Sequence, residues 1–151
     1  MSATPYVYKR PYAERYIFTS IGKKRIDKVV DFVPLGIKNI MNMGFGDLLP
    51  DGSMDDTANS NNGDITKVLA TVIQILKGFT ADYPQIEVFF MGSTYERTKL
   101  YARILKTYYS IFDREFIITA LIGSETKNSR VPFDPLADME YLGFLVKRRK
   151  N

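Results

Sequence analysis

A chain of 151 residues with 45% hydrophobic content suits one domain that buries roughly two thirds of its unfolded surface. It holds no cysteine and no histidine, which excludes disulfides, thiolate chemistry and Cys-based zinc sites and removes the commonest general base and transition-metal ligand. The formal charge of +4 and pI near 9.2 permit weak attraction to polyanions but are too modest to indicate nucleic acid alone.

No apolar run of signal-peptide length opens the sequence and no segment approaches a transmembrane span, so the default expectation is a cytoplasmic protein without membrane contact. Residues 1–15, with three tyrosines, two prolines and three basic residues, read as an extended arm. Tyr16 to Ile21 is the first clear strand. After the Gly22-Lys23-Lys24 turn, Arg25 to Leu35 alternates until Val29 and Val33 break the pattern, which a two-sided or bulged strand explains, and the two strands form a hairpin.

Ile37 to Leu49 is the next extended segment. Gly44 and Gly46 flank Phe45 and mark a bulge or a place where another backbone or a ligand comes close. Asp47 follows at the strand end as a candidate partner for Arg97. Residues 50–63 lack any apolar run and read as a flexible acidic surface loop, since Asp51, Asp55 and Asp56 do not match the EF-hand spacing. Ile65 to Asp82 carries apolar residues at helical spacing through Ile65, Val68, Leu69, Val72, Ile73, Ile75, Leu76 and Phe79. Asn62 or Asp64 caps its start, and Pro84 forbids much continuation.

Ile86 to Met91 is a nearly continuous apolar run, the pattern of a strand covered on both faces. Gly92 ends it, Ser93 with Glu96 three residues on fits a capping box, and a helix is predicted from about Thr94 to Phe112. The free N–H groups of Thr94 and Tyr95, the Ser93 and Thr94 hydroxyls and the Arg97 guanidinium can converge there on one anion. The plainer reading is a capped helix start with a solvated arginine. Against it stands the macrodipole, which disfavours a cation in the first helical turn by roughly 0.3 to 1 kcal/mol at an exposed site, so Arg97 needs a carboxylate or a bound anion. Tyr101 lies one turn along the same face.

The helix is expected to bury Leu100, Ile104, Leu105, Tyr108, Ile111 and Phe112. Lys99, Arg103 and Lys106 stay outside, either as a solvated face or as a track for a phosphate backbone. Phe116 to Ile122 is a further strand, expected beside Ile86 to Met91 and parallel to it through a right-handed crossover. A polar loop spans residues 125–135. Leu136 to Val146 reads as a short helix followed by a last strand, which periodicity does not settle, and residues 147–151 read as a basic tail. Together these elements predict an α+β fold with a single mixed or antiparallel sheet of about five to six strands and two main helices packed on one face.

The string Gly92-Ser93-Thr94-x-x-Arg97-Thr98-x-Leu100-Tyr101 is preceded by Ser60-Asn61-Asn62-Gly63-Asp64 and by Gly44-Phe45-Gly46-Asp47. With these strings the chain resembles a family of small bacterial proteins of uncharacterised function, over most of its length. The resemblance implies no activity, cofactor or catalytic residue. The residues themselves support three functions. The first is a non-enzymatic binding module with Ser93, Thr94, Arg97, Tyr101 and Asp47 around a phosphate-bearing ligand or nucleic-acid backbone, without cofactor or metal. The second is a protein-interaction module, one half of a two-protein system or a homodimer, using a sheet edge or the tyrosine-rich arm. The third is a group-transferase, for which the single glycine of the turn falls short of the phosphate-binding fingerprints.

Overall fold

The computed structural model describes residues 3–56 and 61–150. Residues 57–60 of the 50–63 loop, and residue 151 of the tail, lie outside the described residues. The chain divides into two compact units, Met1–Pro34 with Asn42–Tyr83 and Leu35–Met41 with Pro84–Asn151.

In the first unit the strands run in the order β1 (Lys9–Tyr12), β2 (Arg15–Ile21), β3 (Arg25–Pro34) and β4 (Ile40–Leu48), with β5 (Met54–Asp55) paired antiparallel to β4. The β2–β3 hairpin is in unbroken register from Arg15↔Asp31 to Ile21↔Arg25. The break in alternation at Val29 is therefore two-sided burial and not a bulge, for Lys28, Val29 and Val30 are consecutively buried, whereas Val33 is exposed. Pro11 sits in β1, where a residue without an N–H is tolerated because the strand is an edge.

Helix α1 (Ile65–Asp82) occupies the span its periodicity indicates. Val68, Ile75, Leu76 and Phe79 are buried, whereas Ile65 at the mouth of the helix is exposed. The Phe79 ring stacks on Phe32 with centroids 3.8 Å apart. Thr71 and Thr80 are buried as well, and each hydroxyl donates to a helix carbonyl, Lys67 O and Leu76 O. Asp64 holds the N-cap position, but no side-chain cap bond forms. Its carboxylate instead accepts from Tyr6 Oη at 2.5 Å and from Ser20 Oγ at 2.6 Å. Tyr6 also stacks on Phe18, and its backbone N–H donates to Thr71 Oγ1, so the arm is tied down along its own unit. Gly46 is needed where β5 comes close: a Cβ there would stand 2.4 Å from the Asp55 carbonyl oxygen.

In the second unit the order is β6 (Glu87–Phe90), β9 (Gly143–Arg148), β7 (Phe116–Gly123) and β8 (Asn128–Pro132). Strand β9 pairs antiparallel with both β6 and β7. Strands β6 and β7 therefore point the same way, as the crossover predicts, but they are not neighbours: the last strand of the chain is inserted between them. Lys147 and Arg148 belong to this strand. The continuation places Arg149 against Asp113, with Nη2 to Oδ1 at 2.7 Å.

The helix predicted over residues 94–112 is two helices, α2 (Tyr95–Thr107) and α3 (Tyr109–Glu115), divided at Tyr108. Their buried residues are Thr98, Ala102, Leu105 and Phe112, while Leu100, Ile104 and Tyr108 are only half-buried and Ile111 is exposed. The core of the unit is aromatic: Phe90, Phe133, Tyr141 and Phe144 meet at centroid distances between 5.2 and 5.9 Å.

The α+β class stands, but the predicted five to six strands and two main helices are corrected to nine strands and three helices among the described residues. The three additional strands, β1, β5 and β8, are short and largely unburied. Without a buried face a strand leaves no alternation in the sequence, because its pairing is made by backbone groups that every residue carries.

Candidate functional site

The corner between β6 and α2 is built from the cap outward. Thr94, not Ser93, is the N-cap: its backbone is extended and its Oγ1 accepts from the Arg97 N–H at 3.3 Å. The residue three positions beyond the cap is then Arg97, so the Ser93–Glu96 capping box does not form, and Glu96 lies in the first turn where its charge suits the dipole. The Gly92 N–H donates to Thr98 Oγ1 at 3.0 Å. A Cβ on Gly92 would meet Arg97 Cβ and Thr98 N at 2.4 Å, so the missing side chain admits the helix's own first turn. Arg97 Nη1 donates to Ser93 Oγ at 3.3 Å. The Tyr101 ring meets Phe90 edge-on at 5.9 Å.

Four of the five predicted site residues, Ser93, Thr94, Arg97 and Tyr101, thus share the start of α2. Asp47 belongs to the first unit. There it pairs with Lys28, a buried lysine whose ammonium also lies 5.8 Å from the Phe45 ring centroid. That arrangement accounts for the carboxylate at the end of β4, since a buried ammonium needs an anion within reach.

A second feature lies on the other flank of α2. Thr98, Lys99, Ala102, Arg103 and Lys106 face residues Asp138, Met139 and Tyr141 across an open groove of about 170 Å³. At about 100° per residue, Lys99, Arg103 and Lys106 fall to one side of the buried Thr98–Ala102–Leu105 stripe, and Arg97 and Tyr101 to the other. The segment before β9 is held along the helix by a bond from Tyr95 Oη to Glu140 Oε1 at 3.2 Å.

Among the described residues none of the three groove cations makes an ion pair. The one ring contact is Lys99 Nζ, 5.3 Å from the Tyr95 centroid. The single carboxylate of the lining, Asp138, makes no ion pair either. The groove is therefore a concave surface whose lining carries more positive than negative charge.

Comparison with known proteins adds a family. The family of unknown function designated DUF6934 matches residues 2–149. The chain belongs to that family. Comparison with curated proteins and with solved structures matches nothing. Membership assigns no activity, so the family's chemistry has to be sought in its residues.

Among the described residues no cluster of three or more acidic side chains is placed to hold a metal, and no helix is long and apolar enough to cross a membrane. Asp138, Met139 and Tyr141 carried no signal in the sequence: they lie in a stretch without clear periodicity, and they meet α2 from more than thirty positions away. Lys99, Arg103 and Lys106 were visible as a basic face, but the wall opposite them was not.

Proposed function

We propose that the protein is a binding module, not an enzyme, that receives a phosphate-bearing ligand on α2, in the groove between the helix and residues 138–141. The observation that carries this reading is the set of three cations, Lys99, Arg103 and Lys106, which line one concavity with a single carboxylate, Asp138, and make no ion pair among the described residues. Lys99 with Arg103, and Arg103 with Lys106, are like-charged neighbours one helical turn apart. Each such pair destabilises a helix by about 0.2 to 0.5 kcal/mol, a cost that a bound anion removes.

The test is thermal unfolding of the full chain with inorganic phosphate, against chloride at equal ionic strength. Phosphate is expected to raise the Tm of the wild-type protein and to leave unchanged that of a triple variant, Lys99→Gln, Arg103→Gln and Lys106→Gln, whose circular dichroism matches wild type. A triple variant that keeps the full phosphate shift refutes the groove.

A second reading keeps the anion at the corner, with Ser93, Thr94, Arg97 and Tyr101 around it. The contact of Arg97 Nη1 with Ser93 Oγ favours it, because it gathers a guanidinium and a hydroxyl at the start of a helix. On that reading Arg97→Ala abolishes the phosphate shift and the groove variant does not.

A further inference from the structure

We infer that the groove selects the dianionic end of a phosphate monoester, and that the Tyr141 hydroxyl is the donor that recognises it. The inference rests on the groove reading above and adds to it a ligand class and a specificity-determining residue.

Charge sets the class. Three cations against the one carboxylate of Asp138 leave an excess of two positive charges in the lining. A phosphate monoester carries about −1.5 to −2 at pH 7 because its second pKa is near 6, whereas a diester carries a single charge at any physiological pH. The volume of about 170 Å³, set against about 30 Å³ per water in the bulk liquid, holds one phosphate group and a short organic part. Ala102 and Met139 offer that part an apolar contact.

Tyr141 sets the recognition. Its side chain is 8% exposed, yet its hydroxyl has no hydrogen-bond partner among the described residues. A buried donor without an acceptor is costly, and a native structure that keeps one calls for an explanation. The ring is held by Phe133 at 5.8 Å and Phe144 at 5.2 Å, so the direction of the O–H varies little. Burial, reinforced by the charges of Asp134 and Asp138, holds the phenol above its ordinary pKa, so it remains a proton donor throughout the physiological range. The hydroxyl is sealed from solvent. Ligand binding therefore has to shift the lining until the hydroxyl reaches the ligand's oxygen.

The experiment is calorimetric titration of the full chain at pH 7.5 with methyl phosphate and with dimethyl phosphate, on wild type, Tyr141→Phe and the triple groove variant. Methyl phosphate is expected to bind at least tenfold more tightly than dimethyl phosphate. In Tyr141→Phe, which folds as wild type by circular dichroism, the preference narrows to threefold or less. Equal binding of the two esters by wild type, or an undiminished preference in Tyr141→Phe, overturns the inference. The groove reading survives that result if the triple variant releases both esters. If neither ester binds, or if the triple variant binds both as wild type does, the groove reading falls and the inference falls with it.

Discussion

Replacing Asp64 by alanine tests how firmly the N-terminal arm belongs to the fold. Its carboxylate accepts two bonds, from Tyr6 Oη and Ser20 Oγ. Two more feed the same network, from Ile21 N to Tyr6 Oη at 3.0 Å and from Asn62 Nδ2 to Ser20 Oγ at 3.0 Å. A hydrogen bond to a charged group contributes about 1.5 to 3 kcal/mol. Ser20 is fully buried and loses its acceptor outright, whereas the half-buried Tyr6 recovers part of its loss from water. The expected cost of Asp64→Ala is therefore about 3 kcal/mol, which for a chain of this length lowers Tm by roughly 6 to 12 °C.

Urea unfolding at pH 7 measures it, and a double-mutant cycle with Tyr6→Phe should give a coupling of about 1 kcal/mol or more. The pH dependence carries a sign. Burial pushes the Asp64 pKa up, but the bonds from Ser20 and Tyr6 outweigh it and hold the group below its ordinary value. A depressed carboxylate contributes stability that is present above the unfolded value of about 3.9 and is lost as pH falls through the folded one. Asp64→Asn should flatten the stability curve below about pH 4. A cost under 1 kcal/mol for Asp64→Ala, or strict additivity with Tyr6→Phe, would show that the arm is not held by this carboxylate.

Two further predictions concern the β6–α2 corner. Thr94→Ala should cost about 0.5 to 2 kcal/mol in chemical unfolding and Ser93→Ala close to none, since Thr94 caps the helix; the reverse order would restore Ser93 as the cap. Gly92→Ala should lose about 1 to 3 kcal/mol of thermal stability through the clash with Arg97 and Thr98, and an unaffected Tm would mean that the turn has slack the geometry denies it.

The candidate site was partly legible. Gly92, Ser93, Thr94 and Arg97 announced a strand-to-helix turn because such turns use a short, local vocabulary of residues. The cap was misplaced by one position, for Ser93 and Thr94 are equally good caps on paper and only the path of the chain decides between them. Lys99, Arg103 and Lys106 were legible as a basic face. Whether such a face meets open water or a wall is a question about Asp138 to Tyr141, and no spacing within α2 contains the answer.

By itself the sequence determined the α+β class, helix α1, the β2–β3 hairpin and the strand–turn–helix at Gly92, all of which record burial in the periodicity of one continuous stretch. Tertiary structure alone decided that β9 lies between β6 and β7 and that β1, β5 and β8 join as polar strands. It alone set the bonds of the Asp64 carboxylate to Tyr6 and Ser20, and the groove that α2 forms with residues 138–141. Those outcomes depend on which distant segments meet, and backbone hydrogen bonds and charge-to-charge distances leave no periodic trace in the chain that forms them.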